Sequence, residues 1–150
     1  MSVVSFPEVI GFNPSEGADL RRRRRRELTE ALLERSSRLP DEERALIEAV
    51  YREGRPVVEI ARLRGESPRP LRRRVRRLVE RVMSERFGFV ARRVAEWTPN
   101  RRRVAEACVL HGCSLREAAE RLRLSLHAVR RHSDAVQALF EAERDRRRRA

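Results

Sequence analysis

The sequence predicts an all-α protein made of two tandem three-helix helix-turn-helix domains joined by a helical connector. Three observations carry this expectation. Apolar residues recur at the i, i+3, i+4 spacing of a helix along most of the chain beyond residue 27. Residues 57–82 read as a short apolar helix (Val57, Ile60, Ala61, Leu63), a three-residue break (Gly65-Glu66-Ser67) and a second helix crowded with arginine. Two helices joined by a short Gly-containing turn make the helix-turn-helix unit. The same pattern then returns 58 residues downstream.

At 150 residues the chain has room for one domain or two very small ones. Aromatics are only 5% of the residues, so each core must be built from Leu, Val, Ile and Ala. The formal net charge is +13, and all 36 basic residues are arginine. The choice of arginine over lysine is what the codons of a GC-rich genome favour and says little. The excess of base over acid says more, because codon bias does not dictate it, and a small protein this basic most often meets a polyanion. No stretch approaches the roughly 18 consecutive apolar residues of a membrane span. Met1-Ser2-Val3-Val4-Ser5-Phe6-Pro7 lacks the basic start and apolar core of a secretory signal. The two cysteines are expected to stay reduced, in a cytoplasmic protein of the bacterial nucleoid.

Taken in order, residues 1–26 are expected to form a flexible arm. Pro7, Gly11, Pro14 and Gly17 interrupt any period, so residues 1–20 should be irregular, and the arginine run 21–26 should be a solvated block that can also grip phosphate. The first domain is placed at 27–86. Leu28, Ala31 and Leu32, with Leu20 before them, give a helical stripe to about Arg35. Leu39-Pro40-Asp41-Glu42-Glu43 starts the next helix, with Asp41 as cap and the acids at the positive end of the helix dipole. Leu46, Ile47, Val50 and Tyr51 supply its buried face, and Gly54 ends it.

In the arginine-rich helix Ser67 is the expected N-cap. Pro68 and Pro70 fall in the first turn, where backbone N–H groups have no intrahelical partner to lose. Leu71, Val75, Leu78, Val79 and Val82 make the buried stripe, and Arg69, Arg72, Arg73, Arg76 and Arg77 project from the other faces. The charge is segregated. Residues 41–66 carry seven acids and five arginines, a net of −2, whereas 67–82 carry seven arginines and one acid, a net of +6.

Residues 87–97 are the expected connector, kinked or broken near Gly88, with Phe87, Val90, Val94 and Trp97 on one apolar stripe that packs one half against the other. The second domain is placed at 98–143 and a basic tail at 144–150. Aligning 44–82 with 102–140 leaves nine of 39 positions identical, including Gly54/Gly112, Glu59/Glu117, Ala61/Ala119, Ser67/Ser125, Arg72/Arg130 and Arg73/Arg131. Arg123 replaces Gly65, and a left-handed non-glycine residue costs on the order of 1 kcal/mol. The second turn is therefore expected to be altered or softer.

Leu39-Pro40, Arg44, Leu46-Ile47, Gly54, Glu59-Ile60-Ala61, Gly65, Ser67 and Leu71 resemble region 4 of the bacterial sigma-70 family. So do His111-Gly112-Cys113-Ser114-Leu115-Arg116-Glu117-Ala118-Ala119 and Ser125-Leu126-His127-Ala128-Val129-Arg130-Arg131. The helix-turn-helix of two-component response regulators is similar too. The resemblance implies that the second helix of each unit lies in the DNA major groove. Base- and phosphate-contacting positions then fall at Pro68, Arg69, Arg72 and Arg73, and at Leu126, His127, Arg130 and Arg131; Arg76 and Arg77 extend the first set. Pro68 and Leu126 cannot donate to a base, and the acidic residue of many family members is missing, so any specificity differs from the family's usual promoter element. The 38 residues before the first copy hold only Phe6 and Phe12 as aromatics, too few for the aromatic-rich domain that melts promoters. The chain is not expected to initiate transcription by itself.

The expected function is thus a DNA-binding transcription regulator with double-stranded DNA as partner. The alternative is an RNA polymerase-binding or other protein-interaction module in which only one copy contacts DNA. An enzyme is not expected, for there is no Gly-rich phosphate loop, carboxylate pair or nucleophile signature. No cofactor or metal is expected either. Cys108, His111 and Cys113, with His127 or His132, have no standard zinc spacing, and Cys108 takes the place of Val50 on the buried stripe. The near absence of aromatics argues against single-stranded RNA.

Overall fold

A computed structural model of the protein describes residues 14–150. It is all-α. Eight α-helices follow one another: α1 (Pro14–Ser36), α2 (Asp41–Tyr51), α3 (Val57–Arg64), α4 (Pro68–Val82), α5 (Glu85–Arg93), α6 (Pro99–Ala105), α7 (Leu115–Leu122) and α8 (Leu126–Arg149). A 3-10 turn (Val94–Glu96) precedes α6 and a π-helical turn (Glu106–Leu110) extends it. Among the described residues there is no strand, and no helix is long and apolar enough to cross a membrane.

The chain divides into two compact units, Met1–Ala31 and Leu32–Ala150. In the first, the expected irregular stretch is helical from Pro14 onward, while residues 1–13 lie outside the described residues. Proline suits a first helical turn, and the run of acids, Ala, Leu and Arg behind it has good helix propensity. The six arginines 21–26 are all exposed. Two are paired within the helix, Arg22 with Asp19 at 4.0 Å and Arg23 with Glu27 at 3.2 Å. Leu20 and Leu28, expected on an apolar stripe, are exposed.

In the second unit the stripes read from the sequence are buried: Leu46 and Ile47 of α2, Ile60 and Ala61 of α3, and Leu71, Val75, Leu78 and Val82 of α4. They share one core with Phe87, Phe89, Val90 and Val94 and with Val136 of α8. A smaller core gathers Val104, Ala107, Ala118 and Val129. Leu63 lies off the α3 stripe and is exposed. Asp41 is the first residue of α2 rather than its cap; Pro40 takes the cap position, and the Asp41 carboxylate pairs with Arg44 at 2.7 Å.

The 58-residue sequence repeat is also a repeat of elements. Asp41, Val57 and Pro68 begin α2, α3 and α4, and Pro99, Leu115 and Leu126, each 58 residues on, begin α6, α7 and α8. Gly54 and Gly112 are left-handed (φ 67° and 69°), and so are Gly65 and Arg123 (φ 67° and 55°). The turn bonds match as well: Glu66 N–H donates to Ala61 O at 2.9 Å, and Leu124 N–H to Ala119 O at 3.1 Å. Arg123 therefore keeps the turn of the first copy rather than altering it. Two neighbours support it. Ser114 and Glu117 form a reciprocal capping box that fixes the start of α7, and Arg103 donates to Leu122 O at 3.1 Å at its end.

Between the copies, the break comes at Met83-Ser84 rather than at Gly88. Ser84 caps α5, its Oγ accepting from Phe87 N–H at 3.1 Å. Gly88 lies inside α5, and its lack of a side chain has another cause. A Cβ there would stand 2.9 Å from the Arg35 guanidinium. Arg35 donates to Val82 O at 3.0 Å and Ser84 O at 3.3 Å, so the end of α1 satisfies the last carbonyl of α4 and adds a donor at the carbonyl that starts α5. The aromatic of this segment that reaches α8 is Phe89, which lies off the expected stripe of Phe87, Val90, Val94 and Trp97. Phe89 packs at 5.8 Å from Trp97 and 5.6 Å from Phe140 of α8, ring centre to ring centre.

Two stability measurements follow. Arg35→Ala removes two charge-assisted bonds and is expected to lower the unfolding free energy by about 2 kcal/mol, read from urea denaturation; an unchanged midpoint would show that the α4 end needs no such partner. Gly65→Ala is expected to cost about 1 kcal/mol and Arg123→Gly to be neutral or mildly stabilising, strain relief exceeding the added unfolded-state freedom. Equal losses at both positions would contradict a common left-handed turn.

Candidate nucleic-acid interface

α4 is built so that one face is apolar and the other is not. At 100° per residue its buried residues lie within about 40° of Leu71, and Arg72, Arg76, Arg69, Arg73 and Arg77 spread over about 100–240° on the far side. All five are exposed. Among the described residues none of the five has an acid within ion-pair distance, nor a side-chain hydrogen bond. Glu80 is the one acid on that face, in the last turns of the helix.

The remaining arginines of α4 flank the buried stripe on one side, and α2 meets them with its first turn. Arg74 pairs with Glu42 at 3.0 Å, a carboxylate that also lies 3.9 Å from Arg64. Arg81 pairs with Glu43, both only about a quarter exposed. The acids that start α2 thus serve twice: they complement the helix dipole, and they neutralise the two α4 arginines nearest the core. Arg81 also reaches the second copy, where its guanidinium fills the space beside Gly112.

The start of α4 differs from an ordinary helix start. Ser67 occupies the cap position but its hydroxyl caps nothing. The usual donors to a capping hydroxyl are the N–H groups of the second or third residue, and the third is Pro70, which has none. With Pro68 also lacking an N–H, the backbone offers an anion few donors there, and arginine side chains supply the positive charge instead.

α8 presents His127, Arg130 and Arg131, all exposed, at the positions matching Arg69, Arg72 and Arg73. Its cap is conventional, Ser125 Oγ accepting from Ala128 N–H at 3.0 Å. One turn further on, the faces part: Asp134 and Ala135 stand where α4 has Arg76 and Arg77. All eight arginine and histidine positions expected at the interface are accordingly on the surface, five gathered on α4 and three on α8.

The cysteines and histidines do not gather into a site. Both thiols are free and half-buried, with Cys108 and Cys113 packed against the smaller core. Burial pushes the Cys108 thiol up, with Cys113 adding to the effect and Arg86 opposing it. Burial likewise pushes the His111 imidazole below its ordinary value, helped by Arg121 and opposed by Glu106. Among the described residues no three His, Cys, Asp or Glu side chains are placed to hold a metal ion. Sequence reasoning missed a second set of basic residues, Arg92, Arg144, Arg147 and Arg148, which line a cavity between α5 and α8. For the three on α8 the only signal was the tail's charge, and for Arg92 there was none.

No family model, curated protein or solved structure matches this chain.

Proposed function

We propose that this protein is a DNA-binding transcription regulator in which α3–α4 and α7–α8 act as two sigma-70 region 4-like helix-turn-helix units, without catalysis of its own. The observation that carries this is the sorting of α4's arginines. Five point outward with no acid partner among the described residues, while the two beside the core are neutralised by Glu42 and Glu43. A merely solvated charged helix has no reason to keep its counter-charges on one flank. An exposed arginine row on a helix that follows a tight left-handed turn suits entry into a major groove, where guanidinium groups grip phosphates and read guanine.

The first unit is the main anchor. In the second, Asp134 faces the same way as Arg130 and Arg131 and would meet the phosphates with the wrong sign. This favours a lesser DNA role for α8, and with it the secondary reading that the later copy docks a protein partner such as RNA polymerase. The place of action under either reading is the bacterial nucleoid.

Five arginines that neutralise five phosphates release the cations condensed on the DNA and give a slope of log affinity against log salt of about −4.5, or about a 500-fold loss from 50 to 200 mM salt. Fluorescence anisotropy on short duplexes should show this dependence for the full chain. Arg72→Ala/Arg73→Ala should flatten the slope by about 2, and Arg130→Ala/Arg131→Ala by less. Binding that ignores salt, or that survives the α4 substitutions undiminished, would overturn the DNA reading and favour an apolar protein contact.

A further inference from the structure

The last turns of α8 are more than a tail. The seam that buries Val129 and Val136 and half-buries Phe140 continues, at helical spacing, through Arg144, Arg147 and Arg148. At 100° per residue these three lie within about 80° of Phe140, while Asp145, Arg146 and Arg149 turn elsewhere. Arginine therefore stands on the side of the helix that faces α5, where continued packing would call for apolar residues. Arg144 lies 5.7 Å over the Phe140 ring, which holds its guanidinium against the wall.

Between this stretch and α5 is a cavity of about 290 Å³ with Phe89 and Phe140 in its wall and Arg92 on the opposite side. A second cavity of about 520 Å³, lined by Gly88 and Arg38 among others, shares Arg35 and Arg92 with it. Five arginines and two glutamates line the first cavity, which leaves it at +3. Some of this charge is committed: Arg35 to the Val82 and Ser84 carbonyls, and Arg147 to Glu143 at 3.3 Å. Arg92, Arg144 and Arg148 have no acid partner among the described residues. Glu85 at the start of α5 is the remaining counter-charge.

The geometry points to a second anion site here, separate from the α4 face, that takes a ligand carrying two or more adjacent phosphates. Planar guanidinium groups on two walls match the forked oxygens of phosphates. The volume sits at the lower end of small-ligand sites, enough for a polyphosphate chain with an aromatic edge beside it. The same chemistry arises from a free nucleotide or from a nucleic-acid backbone laid along the groove. The site does not depend on whether α4 meets DNA.

Calorimetric titration of the full chain with inorganic tripolyphosphate near about 0.15 M salt tests it. One saturable site is expected. Arg92→Gln/Arg144→Gln should weaken it at least about tenfold, Glu85→Gln should tighten it several-fold, and Arg72→Ala/Arg73→Ala should leave it unchanged. Circular dichroism checks that each variant remains helical, and Glu85→Gln tests the site even if the double substitution does not fold. Tighter binding of a nucleoside triphosphate than of tripolyphosphate assigns the site to a nucleotide; displacement of tripolyphosphate by a short duplex in the α4 variant assigns it to a nucleic-acid backbone. Absence of saturable binding, equal weakening by the α4 substitutions, or no effect of the groove substitutions overturns it.

Discussion

Two carboxylates at the start of α2 decide what α4 is. A helix with seven arginines in fifteen residues repels itself along its whole surface. Glu42 and Glu43 relieve that repulsion on one flank only, where α4 packs against α2. The Arg74–Glu42 pair is exposed and contributes little to stability, typically below about 1 kcal/mol, whereas the Arg81–Glu43 pair is only about a quarter exposed; the consequence the two share is electrostatic. They leave a positive stripe opposite the buried one, and they leave the two arginines that flank the buried stripe compensated. The apolar stripe can then be buried without also burying unpaired charge.

The second copy shows what happens when the same backbone is kept and the charges change. The left-handed turn is retained although arginine replaces glycine, because the capping box at Ser114 and the bond from Arg103 hold α7 at both ends. The strain at Arg123, on the order of 1 kcal/mol, is offset by packing that the turn makes possible. What did change is the outward face. Element starts and turn geometry are shared by the two segments, and the sign of the outward charge is not.

Most of the fold was legible in the sequence because it rests on local rules. Helical period and left-handed turns set the starts of α3, α4, α7 and α8, with working serine caps only at α7 and α8, and the internal repeat doubled the evidence of period and turn. What failed depended on long-range partners. Gly88 looked like a break because a glycine in a helix costs stability; the Arg35 guanidinium that needs the space lies 53 residues earlier and has no sequence signature. Asp41 looked like a cap because proline at the cap position itself is unusual. The helix from Pro14 was missed because Pro14 and Gly17 were read as interruptions rather than as a first turn. For the interface, exposure of every expected residue followed from the 3.6 period. Which arginines would be neutralised did not, since it depends on how α2 meets α4, nor did the turning of Arg144, Arg147 and Arg148 toward α5.

Under the proposed function five arginines of α4 meet DNA, and the two paired with Glu42 and Glu43 do not. The most direct measurement is the ¹H–¹⁵N spectrum of the arginine Nε groups, assigned by substitution, on addition of a short duplex. The signals of Arg69, Arg72, Arg73, Arg76 and Arg77 should shift together at low duplex ratios, with those of Arg74 and Arg81 held in place by their carboxylates. Movement of Arg74 and Arg81 along with the five, or of Arg130 and Arg131 before them, would contradict it.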